Sequence, residues 1–126
     1  MPKILIADDE PGMRILIEQT LEPLEDKGVV LLHAGNGTQA LEIIKAEKPD
    51  LVLLDVMMPG MNGFDVSDTV KNVIGIKDVY ILMITAKGQE FDKQKGEDVG
   101  VNCYITKPFD LDYILEKAAN VLGVKI

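Results

Sequence analysis

Asp8, Asp9 and Glu10 arrive directly after the apolar run Lys3 to Ala7, and Asp55 directly after Leu51 to Leu54. Thr85 follows Val79 to Ile84 in the same way, and Lys107 follows Val101 to Thr106. Taken singly, each has a bland role available: the acidic triplet as a helix cap, Asp55 and Thr85 as turn starters, Lys107 as a solvated loop lysine. Brought together, Asp8, Asp9 and Asp55 would repel one another and raise one another's pKa unless a cation or a lysine neutralised them. Carboxylate and backbone carbonyl oxygens are hard ligands, and a small acidic cluster with room for water and phosphate oxygen suits Mg²⁺, with Mn²⁺ as a substitute. Three carboxylates, one Mg²⁺ and the lysinium of Lys107 sum to zero charge, which lets an anionic phosphoryl group approach. A carboxylate is a competent nucleophile for such a transfer, and Asp55 is the candidate.

The elements that must position these groups are legible as well. The runs Lys3 to Ala7, Val29 to His33, Leu51 to Leu54, Val79 to Ile84 and Val101 to Thr106 are short and continuously apolar, so each reads as a strand buried on both faces. Between them lie residues at helical spacing: Met13, Leu16, Ile17, Leu21 and Leu24; Ala40, Leu41, Ile43 and Ile44; Phe64, Val66, Val70 and Val73. A polar fourth helix falls between Lys87 and Val99, and a fifth carries Leu111, Ile114, Leu115, Ala118, Val121 and Leu122. The pattern is (βα)5, an open α/β sheet whose ligands bind outside the carboxyl ends of the strands, where the six polar residues sit. Asn36 or Thr38 is placed to cap the second helix and Asp110 the last, while Gly28, Gly75, Gly100 and Gly123 suit helix ends. Pro23 interrupts the first helix, where it removes the amide that would bond the carbonyl of Gln19, so a kink or an early end is expected.

Composition excludes several classes of function. With 126 residues, 47% of them hydrophobic, the chain is expected to be one domain that builds a real core without staples. The net charge of −8 repels nucleic acid, so direct binding to DNA is not expected. Cys103 is the only cysteine, which fits a reducing, cytoplasmic compartment, and no apolar run has the length of a membrane span. His33 is the only histidine, ends the second strand away from the candidate site and serves neither a His-rich metal cluster nor as a phosphodonor.

Four elements carry a family resemblance: Asp8-Asp9; the string Leu53-Leu54-Asp55-Val56-Met57-Met58-Pro59-Gly60-Met61-Asn62-Gly63; Thr85-Ala86; and Tyr104-Ile105-Thr106-Lys107-Pro108-Phe109. In order and spacing the chain resembles the receiver domain of two-component response regulators, of the stand-alone, chemotaxis-regulator-like kind, along essentially its whole length. The resemblance implies a single receiver domain over residues 1–126 without an effector domain, and a doubly wound parallel sheet of strand order 2-1-3-4-5. It implies phosphorylation of Asp55 by the phosphohistidine of a sensor histidine kinase or histidine phosphotransfer protein. Mg²⁺ is then held by Asp9, Asp55 and the main-chain carbonyl of Met57, with Asp8 acting through a metal-bound water. Thr85 corresponds to the switch hydroxyl, Lys107 to the lysine that pairs with a phosphoryl oxygen, and Lys107-Pro108 to a cis peptide. Tyr104 corresponds to an aromatic switch that turns inward as Thr85 moves, so that the face of the fourth helix, fifth strand and fifth helix is read by a downstream protein. Such a chain is a monomer or a phosphorylation-dependent dimer, and catalyses only its own phosphorylation and slow dephosphorylation.

Some positions depart from the family pattern or modulate it. Asn102-Cys103 stands where acidic residues are common, and Cys103 is read as a space-filler. Met57 and Lys87, two residues beyond Asp55 and Thr85, fall where access of water to the phosphoryl group is tuned. The alternative reading is a Mg²⁺-dependent phosphatase with an aspartyl nucleophile, but Asp55-Val56-Met57 lacks a second aspartate two residues on to serve as general acid. A flavodoxin-like binding module is a third, against which stands the repulsion between Asp8-Asp9-Glu10 and a flavin phosphate.

Overall fold

The computed structural model describes residues 1–86 and 93–126, in the chain order β1 (Lys3–Ala7), α1 (Pro11–Thr20), α2 (Glu22–Glu25), β2 (Val30–Ala34), α3 (Gly37–Glu47), β3 (Leu51–Asp55) and α4 (Gly63–Asp68). A π-helical segment (Thr69–Ile74) prolongs α4, followed by β4 (Tyr80–Thr85), α5 (Lys93–Asp98), β5 (Cys103–Thr106) and α6 (Leu111–Leu122). Lys87 and the start of the expected fourth helix lie outside the described residues.

All strand pairs are parallel and the sheet order is β2-β1-β3-β4-β5, as the resemblance implies. Because side chains alternate along a strand, each strand feeds two cores. Leu5, Ala7, Val52, Leu54, Ile81 and Met83 pack with Ala40 and Ile44 of α3 and Val66 of α4 on one face. Ile4, Ile6, Leu51, Leu53, Leu82 and Ile84 pack with Ile17 of α1 and Ile114 and Ala118 of α6 on the other. Helices on both faces are what continuous apolar strands require. That reading holds for β1, β3 and β4 but not for the edges: β2 is half-buried over most of its length and β5 alternates half-buried and exposed residues. An edge strand has a neighbour on one side only, and its outer residues reach past the covering helices.

Pro23 acts as its chemistry dictates. The first helix stops at Thr20, and a single turn, α2, restarts with Pro23 inside its first two positions, where no amide is needed. Asn36 caps α3 by accepting from the Gln39 amide, and Asp110 caps α6 by accepting from that of Asp112. The third apolar stripe fails at its end. In the π-helical segment the Gly75 amide bonds the carbonyl of Val70, five residues back, and the wider turn brings Lys71 into the interior and leaves Val73 74% exposed.

Candidate functional site

The site is a product of sheet register. Ala7 pairs with Leu54, so the next residues, Asp8 and Asp55, come side by side at the carboxyl edge of β1 and β3. Asp55 pairs with Ile84 and Thr85 with Thr106, which brings Thr85 and Lys107 to the same edge from β4 and beyond β5. Asp8, Asp55 and Thr85 are all buried.

Each group is held by its own local geometry. The Asp8 amide donates to Ala34 at 3.1 Å, and Asp8 Oδ1 accepts from the Glu10 amide at 2.9 Å, turning the chain into α1. Asp55 Oδ1 accepts from the Met57 amide at 3.2 Å. Two glycines shape the loop that follows Asp55. A Cβ on Gly63 would press into the Asp55 carbonyl, and one on Gly37 would collide with the backbone of Met61. The Lys107 amide donates to the Thr85 carbonyl at 2.7 Å, and the Lys107–Pro108 peptide is cis.

From this seat Lys107 Nζ reaches Asp8 Oδ2 at 3.3 Å and Asp55 Oδ2 at 3.4 Å, a single ammonium between two buried carboxylates. Burial, then the charge of Asp8, push the Asp55 carboxyl above the ordinary carboxylate range, and the opposing pull of Lys107 does not cancel them. Burial alone would lower the Lys107 ammonium, yet the charges of Asp55 and Asp8 outweigh it and hold that pKa above the ordinary lysine value. Burial dominates the first shift and the two carboxylate charges the second, so Asp8 and Asp55 share one part-buried lysine.

Asp8, Asp9 and Glu10 each offer a carboxylate oxygen within 4.8 Å of the others. No group of three at that spacing includes Asp55 among the described residues; Asp55 is engaged by Lys107 and by the Met57 amide. The donor chemistry, hard oxygens in cation deficit, fits Mg²⁺. The Thr85 hydroxyl is turned away from Asp55, toward Ile105 O at 3.3 Å and Thr106 Oγ1 at 3.2 Å. Tyr104 stands on β5 opposite Met83, 37% exposed, and Met57 lies 61% exposed beside Asp55. His33, on β2 opposite Ile6, faces Glu18 at 3.4 Å.

Sequence reading missed two features of the site. Arg14, one turn into α1, reaches back to donate to the carbonyl of Asp8 at 2.6 Å. An apolar groove of about 400 Å³ lined by Met13, Leu16, Pro108, Phe109 and Leu111 adjoins Lys107. Helical side chains lean toward the helix N-terminus, which is the one signal that could have pointed to Arg14.

A doubly wound sheet of order 2-1-3-4-5 with carboxylates, a hydroxyl and a lysine at its carboxyl edge defines an α/β module of the flavodoxin-like, CheY-like class. The model of the response regulator receiver domain matches residues 4–119, and the chain belongs to that family. It is 37% identical to sporulation initiation phosphotransferase F of Bacillus subtilis over 98% of this chain and 95% of that protein. It is 41% identical to the phosphate regulon transcriptional regulatory protein PhoB of Pseudomonas aeruginosa over 94% of this chain, which spans only 51% of that longer protein. Among solved structures, a CheY-like response regulator receiver domain protein from Methanospirillum hungatei superposes with a TM-score of 0.80 at 34% identity, covering 97% of this chain and 94% of that one. The chain is therefore a phosphoacceptor-type module of two-component signalling, and phosphorylation and Mg²⁺ binding are standard for its family. No helix among the described residues is long and apolar enough to cross a membrane.

Proposed function

We propose that the chain is a switch in which Asp55 accepts a phosphoryl group from a phosphohistidine of a histidine kinase or phosphotransfer protein. The observation that carries this is Lys107 poised between Asp8 and Asp55 at the edge of the sheet. Asp9, Asp55 and the carbonyl of Met57 would hold Mg²⁺, with Asp8 acting through a water. Bound there, the ion supplies positive charge against the phosphoryl oxygens. The Asp55 carboxylate forms the new O–P bond as the P–N bond to imidazole breaks, and the electron pair leaves with the imidazole. Lys107 then exchanges a carboxylate partner for a phosphoryl oxygen, which answers the charge that the transfer adds. The apolar groove beside Lys107 gives the donor protein a surface to rest on.

Output rests on Thr85. Its hydroxyl gives up Ile105 and Thr106 for the phosphoryl group, the end of β4 moves inward, and Tyr104 turns into the space released. A downstream protein reads the face of α5, β5 and α6, and pairing of two phosphorylated copies would use that same face. Met57, apolar and exposed next to Asp55, offers no acid for turnover of other phosphomonoesters, so the chain acts on its own aspartyl phosphate alone. The free thiol of Cys103 supports a cytoplasmic location.

The test is intact mass after incubation with a small-molecule acyl phosphate, with and without Mg²⁺, for the native chain and Asp55→Asn. A Mg²⁺-dependent gain of one phosphoryl group, absent in Asp55→Asn, is expected. No adduct on a folded, Mg²⁺-binding native chain would overturn the reading.

A further inference from the structure

We propose that Arg14 is a positioning residue that sets the direction of the acidic loop toward a divalent cation by tying the Asp8–Asp9 peptide back to α1. The inference rests on the reading of Asp9 as a Mg²⁺ ligand.

Asp8 is pinned at both ends of its backbone. Its amide donates to the Ala34 carbonyl at 3.1 Å, and its carbonyl accepts from Arg14 Nη1 at 2.6 Å. The peptide that follows is planar, so fixing its oxygen fixes the plane on which the Asp9 Cα rides, and hence the line along which Asp9 leaves the sheet. Asp9 is exposed, and this plane is the anchor on its amino side.

The guanidinium sits in a shaped place. A Cβ on Gly35 would lie 3.3 Å from Arg14 Nη1, so a side chain there would require the guanidinium to give by a few tenths of an ångström. Gly35 itself is fixed: its amide donates to Gln39 Oε1 at 2.7 Å, and Asn36, next in sequence, accepts the Gln39 amide at 2.8 Å to cap α3. The far wall of the seat is therefore the locked start of a helix. Arg14 in turn is held by α1, where its amide donates to the Glu10 carbonyl at 3.1 Å. Arg14 thus ties the loop bearing the acidic triplet to α1, with its guanidinium beside Gly35 of the turn after β2.

The sign of one measurement separates positioning from plain charge. A positive charge beside the loop repels an arriving cation, so by Coulomb's law its removal tightens Mg²⁺ binding. Loss of positioning has the opposite effect, and residues that orient metal ligands from behind typically matter by about tenfold or more in affinity. The experiment is calorimetric titration of Mg²⁺ into the native chain, Arg14→Met and Gly35→Leu, with the metal-free thermal midpoint measured for each. Arg14→Met removes the donor and the charge; Gly35→Leu keeps the charge and fills the seat. Both are expected to weaken Mg²⁺ about tenfold while the metal-free midpoint stays near that of the native chain. Native-like or tighter binding in either folded variant overturns the inference. If Arg14→Met does not fold, Gly35→Leu decides by the same criterion. Failure of the native chain itself to bind Mg²⁺ would strike the proposed function instead, and is told apart by that control.

Discussion

The hydroxyl of Thr85 lies 3.3 Å from the carbonyl oxygen of Ile105, so the residue at the end of β4 is hydrogen-bonded to β5 and not to Asp55. Any coupling of Asp55 to the β5 face has to break this bond and make another. Thr85→Ala should therefore leave uptake of phosphoryl from a small-molecule donor within a few-fold of native, since Lys107 is untouched. It should abolish the change in the Tyr104 ring on phosphorylation, followed by NMR of the tyrosine side chains. The cost in stability is expected to be roughly 1 kcal/mol, the worth of one neutral hydrogen bond. A Tyr104 ring that still shifts on phosphorylation of Thr85→Ala would remove Thr85 from the switch.

Lys107→Met leaves the carboxylates of Asp8 and Asp55 buried without their shared cation. Removing one partner of a buried pair costs about 3 kcal/mol, so the metal-free variant should be destabilised by that order at neutral pH. The sign with pH follows. The Asp55 carboxyl is already raised above its unfolded value of 3.8, and losing Lys107 raises it further. The folded state then binds more protons than the unfolded one, so this contribution favours folding below pH 3.8 and is lost as pH rises through the folded pKa. Urea titrations from pH 4 to 7 should show the gap between variant and native widening with pH. A gap independent of pH would contradict the charge account.

Gly63 tests the shape of the loop that follows Asp55. Its amide donates to Val56 O at 2.9 Å, and an added Cβ would meet both the Asp55 carbonyl and the sulfur of Met83. Gly63→Ala has ordinary helical propensity in its favour, so any loss reports crowding. A destabilisation of about 1–3 kcal/mol by chemical denaturation is expected, with slower phosphorylation as Asp55 is displaced. A variant as stable as native would mean that the loop yields freely.

What was legible in the sequence was what depends on period and punctuation. The five apolar runs, the end of the first helix before Pro23 and the caps at Asn36 and Asp110 are each set by a few neighbouring residues. Meeting of Asp8 with Asp55 also follows, because a parallel sheet lines up strand ends. Less legible was whatever depends on how far a side chain reaches or on where a helix changes pitch. Arg14 belongs by spacing to a polar helix face, yet its stem leans back six residues to Asp8. Val73 keeps the helical spacing but loses the core when the last turn widens, and the polar Lys71 takes an interior place that no hydrophobic pattern marks. The half-exposed edges β2 and β5 were hidden for a related reason, since burial of a strand depends on its place in the sheet and not on its own composition.

Lys71 makes the last prediction. It is buried at the opposite end of the sheet from Asp55, with Nζ donating to Lys77 O at 3.3 Å and to Asn102 Oδ1 at 3.2 Å, while the same Asn102 oxygen accepts the Ile81 amide at 2.8 Å. Burial, then the nearby charge of Lys77, lower its pKa below the ordinary 10.5, against the weaker pull of Asp78. Between the folded and unfolded pKa the unfolded chain binds more protons, so Lys71 adds stability as pH rises toward 10.5 and adds none well below the folded value, where both states are charged. Lys71→Met removes the buried charge and should match or exceed native stability at neutral pH, because well-packed apolar replacements of buried ionic groups are often neutral or stabilising. That advantage should shrink as pH is raised from neutral toward 10.5, as native Lys71 sheds its proton in place before the unfolded chain does. Urea unfolding of the two chains across that range checks it, and an advantage that grows with pH would show that Lys71 is stabilised as a cation by its two oxygen acceptors.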